Sequence, residues 1–468
     1  MSARTRAGDQ AGRGASLLVA ALASAFGVVL VQITNVLATV ISGDDLSLVP
    51  TVRTSLSIVA VLFIIVAVYV SAIVTTNTVA TIIAGRTRTI ALMRLIGSSA
   101  ADQRRILSRE GLRVGAVGAL IGAVVGTALL RAGLFAAVAA GMLPDLRYQL
   151  LEPLLILPVA VVVLSTWCAA WVGSRRVLTV SPMQAVGAAE ERTLDEAAKR
   201  PVRNVLALVL IVAGVLFLAG GVAVGRVDQF GVLLGLVGGL VSFSGLVLGA
   251  HVILPPLLRV VGRALGNRAP ARLAAANGQE HPERSSRSTL SLVIGVTLIT
   301  MFAVAGATFE RILAPSMQSA ADMEEVGELI SIVLGVMSVL VGFSAVIAAV
   351  GMINNLALSV LQRSREIGLL RALGFTGRQV RAMILAESLQ MSVAAVGLGL
   401  ALGILYGWAA AQSMFGFLVA DGGLVLPAVP WLLVVLCVLG AVVLSVGATI
   451  VPARRAVSVS PVTALAAA

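Results

Sequence analysis

Charged residues are scarce in this chain: Lys, Arg, Asp and Glu make up 12% of its 468 residues. Soluble globular proteins carry about 25%, so the composition excludes an ordinary soluble domain. Lys199 is the single lysine, and no G-x-x-x-x-G-K-[ST] segment is present, which excludes the usual ATP phosphate loop from this sequence. Two histidines and two cysteines, each far from the other in sequence, predict neither a metal site nor a disulfide framework.

Hydrophobic residues are abundant instead, at 59% of the chain, and the mean hydropathy is +1.03. Ten apolar runs are long enough to cross a hydrocarbon layer of about 30 Å as helices. They lie near residues 16–41, 54–83, 112–138, 152–173, 204–224, 230–257, 288–309, 328–360, 386–413 and 429–451. The predicted fold class is an all-α polytopic membrane protein with ten transmembrane helices. The first run is longer than a signal-peptide core, so we expect it to be a retained span.

The basic residues predict the orientation of these spans. With both termini in the cytoplasm, 29 of the 34 Lys and Arg residues fall in cytoplasmic segments and 5 in external ones. Such a bias is typical of multi-pass proteins of the bacterial cytoplasmic (inner) membrane. The net charge of +12 is thereby explained without nucleic acid as a partner. The external segments are short, so no large extracellular domain is expected.

An internal duplication organises the chain. Residues 86–112 align without a gap on residues 363–389, at an offset of 277, and residues 174–186 align on residues 453–465, at an offset of 279. Two parallel four-helix repeats joined by a two-helix connector follow from this pattern. The predicted domains are 1–190 for the first repeat, 191–270 for the connector with spans five and six, and 271–468 for the second repeat.

The duplicated loop has the pattern of two helices joined by a tight turn. In the second copy, Gly374 is placed as a left-handed helix cap, and Thr376 with Gln379 forms a predicted capping box for the next helix. Gly97, Ser99 and Asp102 occupy these places in the first copy. Basic residues interleaved with apolar ones are compatible with docking of a protein partner and with binding to acidic lipid. Retention of the detail in both copies favours docking.

Small residues mark the third and ninth spans. Gly118, Gly122 and Gly126 lie four residues apart, as do Gly399, Gly403 and Gly407. This spacing predicts close helix packing, with a moving seam as the alternative. Ionisable residues are rare within the spans, which disfavours an ion-coupled transporter.

The two copies of R-x-R-x-I-x-L-x-R-x-x-G resemble the FtsX-like permease family, which includes macrolide-exporter and bacitracin-resistance permeases. The segment at 351–374 and the P-x-x-A-[LV] endings at 182–186 and 461–465 are similar to its motifs. The bacitracin-resistance type has a large external domain between spans seven and eight, whereas the corresponding loop here has about 17 residues.

The resemblance implies that each duplicated loop couples to a separate ATP-binding ABC subunit, with two copies of that subunit per chain. ATP and Mg would be bound by the partner, so no cofactor is expected in this chain, and the chain itself is not expected to be an enzyme. The residues implied in ATPase coupling are Arg86, Arg88, Ile90, Arg94, Gly97 and Glu110 in the first copy, and Arg363, Arg365, Glu366, Ile367, Arg371, Gly374 and Glu387 in the second.

The expected function is that of a permease subunit of an ATP-driven exporter, moving a hydrophobic or amphipathic compound such as an antimicrobial peptide, drug or lipid. The alternative is an ATP-driven regulatory scaffold coupled to a sensor kinase or a cell-wall enzyme. Short external loops disfavour the cell-wall version, and the kinase version stays open.

Overall fold

The structure is a computed structural model. It describes residues 3–43, 96–141, 153–174, 201–264, 282–314, 369–371, 373–419, 422–432 and 434–440, together with isolated residues in 61–93 and at 146, 148, 273, 276 and 443. Throughout this part of the chain the regular secondary structure is helical.

Seven long helices run through the described residues. Their bounds are α1 Ala3–Gly43, α2 Ala100–Ala139, α3 Ile156–Gly173, α4 Pro201–Gly225, α5 Gly231–Ala264, α6 Pro282–Leu313 and α7 Gly377–Phe415. A single 3₁₀ turn precedes α3 at Pro153–Leu155, and another follows α7 at Gly416–Leu418.

All seven helices are long and apolar enough to cross a membrane. They correspond to predicted spans one, three, four, five, six, seven and nine. The second and eighth spans fall largely or wholly outside the described residues, and the tenth is described only in part, so the count of ten remains a prediction. Large apolar side chains on α4, such as Leu208 and Leu216, are exposed, as expected for a helix that faces lipid.

The chain divides into two compact units, residues 1–189 and 190–468. In the first unit, α2 packs on both α1 and α3, which also contact each other. The glycine stripe of α2 makes the contact with α1 close, because a Cβ on Gly122 would overlap the carbonyl oxygen of Ala21. Ser24 Oγ donates to the Ala119 carbonyl at 2.8 Å across this seam.

The second unit holds α4, α5, α6 and α7. The glycine stripe of α7 packs on α6, where a Cβ on Gly403 would lie 2.5 Å from Thr300 Cβ. Helices α4 and α5 pack against each other and against α7. Two buried contacts join α5 to α7: Ser242 Oγ lies 3.0 Å from Tyr406 Oη, and Gln390 Nε2 donates to the Leu258 carbonyl at 2.6 Å. The two helices predicted as a connector therefore pack on the second repeat, while the predicted domain limits stay predictions.

A segment without regular secondary structure, residues 423–430, crosses the end of α7 that lies farthest from Thr376. The indole Nε1 of Trp408 donates to the Val425 carbonyl at 2.6 Å, and the Val425 amide donates to Gln412 Oε1 at 3.3 Å. The Ala428 amide donates to Thr308 Oγ1 of α6 at 3.1 Å. These contacts bring α6 and α7 together at this end of the unit.

Candidate functional site

The duplicated loops form two turns of matching backbone geometry, which we call the first elbow (residues 96–103) and the second elbow (residues 373–380). Gly97 and Gly374 both have φ of 99°. This region is open to glycine and strained for residues with a Cβ. The two elbows therefore share the same unusual backbone conformation at the glycine.

The second elbow closes the preceding helix with a Schellman motif. The Phe375 amide donates to the Leu370 carbonyl at 3.0 Å, and the Gly374 amide donates to the Arg371 carbonyl at 3.1 Å. These bonds satisfy carbonyls that a helix end leaves without partners. In the first elbow, the Ser98 amide makes the corresponding bond to the Met93 carbonyl at 3.0 Å. The predicted left-handed cap is therefore confirmed in the second elbow.

Each elbow also starts the next helix. Thr376 and Gln379 form a complete capping box at the start of α7, as predicted. Ser99 caps α2 by accepting from the Asp102 amide at 3.0 Å. Two residues separate each left-handed glycine from the helix that follows. Since α2 and α7 then continue through the apolar region, a displacement of either elbow would act directly on a membrane helix.

Each elbow presents one large apolar side chain just before its glycine. Ile96 is 80% exposed in the first elbow, and Leu373 is 72% exposed in the second. The two residues occupy equivalent positions, 277 apart in sequence. An exposed apolar side chain at the same place in both turns is available for contact with a partner.

The opposite side of the second elbow packs on its own helix. Leu370 and Phe375 contact a buried cluster of Val380, Met383 and Ile384, which Leu273 also joins. This packing fixes which apolar residues face inward. It leaves Leu369 and Leu373 exposed, so the tip is defined by tertiary contacts and not by its apolar composition.

The structure places five of the residues implied in coupling. Gly97 and Gly374 form the turns, and Arg371 lies in the last helical turn before Gly374. Glu110 is partly buried in α2, while Glu387 is buried in α7, and both have polar or charged interactions. The remaining eight lie outside the described residues: Arg86, Arg88, Ile90, Arg94, Arg363, Arg365, Glu366 and Ile367.

Sequence reasoning missed Ile96 and Leu373, because an apolar residue in an amphipathic pattern is assigned to the buried face by default. Their position directly before the capping glycine in both copies could have marked them as candidate contact residues. Among the described residues, no group of three or more His, Cys, Asp or Glu is placed to hold a metal ion.

One family model matches the chain twice, once over each of the duplicated segments. The model of the family described as FtsX-like permease C-terminal matches residues 61–182 and 338–461, which together exceed half of the chain. The two ranges begin 277 residues apart, at 61 and 338, and end 279 apart, at 182 and 461. These separations equal the offsets between the two sequence copies.

Curated relatives are similar over shorter stretches. The uncharacterized ABC transporter permease YknZ of Bacillus subtilis is 28% identical over 148 residues, which are 31% of this chain and 35% of YknZ. An uncharacterized ABC transporter permease of Methanocaldococcus jannaschii is 35% identical over 86 residues, 18% of this chain and 22% of the relative. The macrolide export ATP-binding/permease protein MacB of Bdellovibrio bacteriovorus is 41% identical over 61 residues, 13% of this chain and 9% of MacB.

The matched regions thus span about a third or less of each of these relatives. The family model matches both copies, each of which contains an elbow. Together with seven helices suited to crossing a bilayer, it identifies a multi-pass membrane protein. The chain belongs to the FtsX-like permease family.

Proposed function

We propose that this chain is the membrane-spanning permease subunit of an ATP-driven exporter, and that both elbows are docking sites for a separate ATP-binding subunit. The observation that carries the proposal is the duplicated elbow: the same left-handed glycine follows one exposed apolar side chain, Ile96 or Leu373, in both copies. Two equivalent sites suit two ATP-binding subunits.

ATP hydrolysis belongs to the partner in this proposal. A single lysine and the absence of a phosphate loop leave this sequence without the usual ATP site. ATP and Mg would be held by the docked subunits, and the permease itself would catalyse no reaction. The name of YknZ, an ABC transporter permease, supports this division of labour, whereas the name of MacB combines both roles.

Mechanical coupling follows from the continuity of each elbow with its helix. The capping bonds of Thr376 and Ser99 fix the start of α7 and α2. If a partner binds Leu373 or Ile96 and then moves, the helix that follows, α7 or α2, would tilt or shift as a unit. Work on a substrate requires that the two resulting states bind it with different free energies.

The orientation and cargo complete the proposal. The basic residues support elbows in the cytoplasm and a location in the bacterial inner membrane, with both termini cytoplasmic. The cargo class is hydrophobic or amphipathic: a drug, an antimicrobial peptide or a lipid. The similarity to a macrolide exporter supports a role in antimicrobial resistance.

The test is capture of the ATP-binding subunit by the permease. Ile96→Asp and Leu373→Asp should each weaken docking at one elbow by about tenfold or more, as expected when a buried apolar anchor is replaced by a charge. We expect two subunits per permease in the wild type, one in each single variant and none in the double variant, counted by native mass spectrometry.

Val227→Asp is the matched control, because Val227 is 84% exposed in the turn between α4 and α5. It should retain both subunits. Wild-type stoichiometry in the double variant would overturn the docking proposal. A complex that forms but stimulates a kinase, without moving any amphipathic compound across vesicles, would instead support the regulatory scaffold.

A further inference from the structure

A second site lies where the start of α2 meets the end of α3. The Arg104 guanidinium lies over the Trp171 ring, with Cζ 4.3 Å from the ring centroid. Its Nε and Nη2 atoms are buried and have no hydrogen-bond partner. These two nitrogens share one edge of the guanidinium, and that edge has the geometry to donate to two oxygens of one anion.

Stacking and hydrogen bonding use different parts of the guanidinium. The cation–π contact with Trp171 uses the face of the group, whereas its N–H bonds lie in the plane. A buried N–H donor without an acceptor is unfavourable, and more so when the group is charged. An anion at this edge would therefore stabilise the arrangement.

The second repeat shows the same arginine position used differently. Arg381 stands 277 residues after Arg104. It is exposed, and its Nε donates to the Gly377 carbonyl of its own helix at 3.3 Å. The exposed position lets water solvate the remaining donors. The unmatched guanidinium therefore belongs to the first repeat and is not a general property of the elbow.

The surroundings indicate the depth at which this arginine lies. Trp167 and Trp171 are one helical turn apart on α3 and are 38% and 37% exposed. Tryptophan pairs of this kind are typical of the level of lipid headgroups. Arg105 and Arg109 of α2 are also exposed nearby in sequence, so the end of the helix carries an excess of positive charge.

We propose that Arg104 and Trp171 form a binding site for the phosphate group of an anionic phospholipid. The guanidinium fork matches two phosphate oxygens, the indole holds the arginine in place, and the exposed Trp167 side chain lies against the upper acyl chain. The assignment of the lipid to the inner leaflet rests on the proposed cytoplasmic location of the elbows. Binding of the phosphate group by Arg104 does not depend on docking of an ATP-binding subunit.

The experiment uses the full-length permease in detergent, titrated with phosphatidylglycerol and followed by native mass spectrometry. Arg104→Gln should weaken the tightest bound lipid by about tenfold, which corresponds to roughly 1.4 kcal/mol. Arg104→Lys should lose several-fold, because lysine keeps the charge without the planar fork. Arg381→Gln, the matched control, should stay within about twofold of the wild type.

Trp171→Phe keeps an aromatic surface for stacking and should preserve most of the lipid affinity. It tests whether a loss of lipid binding in Arg104→Gln comes only from disturbed folding at this site. Thermal unfolding of each variant is measured in parallel. Equal lipid binding by wild type and Arg104→Gln would overturn the proposal, as would equal losses in Arg104→Gln and Arg381→Gln. Displacement of the lipid by millimolar inorganic phosphate would overturn the assignment to a headgroup, because the site would then take free phosphate.

Discussion

At the residue scale, the left-handed glycines of the two elbows, Gly97 and Gly374, are positions where addition of a Cβ atom would strain the local structure. A Cβ on Gly97 or Gly374 would have no heavy atom within 4 Å, so substitution there acts through backbone strain alone. Gly374→Ala should destabilise the second elbow by about 1–2 kcal/mol, the cost of a left-handed conformation for a residue with a Cβ. Hydrogen exchange of residues 373–380 should accelerate by about tenfold.

Gly397→Ala is the control for this change. Gly397 lies within α7, and a Cβ there would also contact nothing within 4 Å. Because its backbone is helical, alanine should be neutral or slightly stabilising. Unchanged exchange at the elbow in Gly374→Ala would show that the turn is held by contacts other than the glycine conformation.

At the element scale, glycine stripes set how closely the paired helices approach. A Cβ on Gly122 of α2 would overlap the backbone of Ala21, whereas a Cβ on Gly133 of the same helix would contact nothing within 4 Å. Gly122→Val should therefore destabilise the first unit by about 1–3 kcal/mol, the usual cost of overpacking, and Gly133→Val should have little effect. Thermal unfolding in detergent measures both variants.

A lower melting temperature in Gly133→Val than in Gly122→Val would contradict the packing of α2 on α1. Equal melting temperatures in both variants and the wild type would do the same. The comparison is clean because the two glycines share one helix and receive the same side chain, so helix propensity contributes equally.

The two repeats share the spacing between elbow and glycine stripe. Gly122 lies 23 residues after Ser99, and Gly399 lies 23 residues after Thr376. What differs is the helix that packs on the stretch between them. Gln390 of α7 bonds to Leu258 of α5, and Met391 and Ala394 pack on the same residue. The corresponding stretch of α2 packs on α3 instead.

At the scale of the whole molecule, the proposed topology predicts which turns can be reached from outside the cell. In a background with Cys168→Ala and Cys437→Ala, which removes both free thiols, Val227→Cys should react with a membrane-impermeant maleimide in intact cells. Ile96→Cys and Leu373→Cys should react only after the membrane is permeabilised. All three positions are well exposed, so differences in labelling report the side of the membrane.

Labelling of Leu373→Cys in intact cells at the rate of Val227→Cys would contradict the proposed topology, in which the second elbow is cytoplasmic. Opposite behaviour of Ile96→Cys and Leu373→Cys would contradict the parallel repeats, because two copies in the same orientation must present their elbows on one side.

The sequence by itself determined the membrane class, the duplication, the left-handed cap at Gly374 and the capping box of Thr376 and Gln379. The membrane class depends on composition, the duplication on comparing two segments of the sequence, and the caps on residues within about one helical turn of one another, so none of them requires a tertiary contact. The stripe of Gly118, Gly122 and Gly126 also predicted close packing, because only a small residue lets two backbones approach.

Only the tertiary structure decided which side chains the elbows expose and which they bury. Leu370 turns inward because Val380, Met383 and Ile384 receive it, while Leu373 remains exposed. Arg104 stacks on Trp171 because α3 packs beside α2, whereas Arg381 bonds within its own helix. Arg104 and Arg381 occupy equivalent positions in the same local sequence pattern. Their different interactions depend on contacts with helices distant in sequence, which no local pattern encodes.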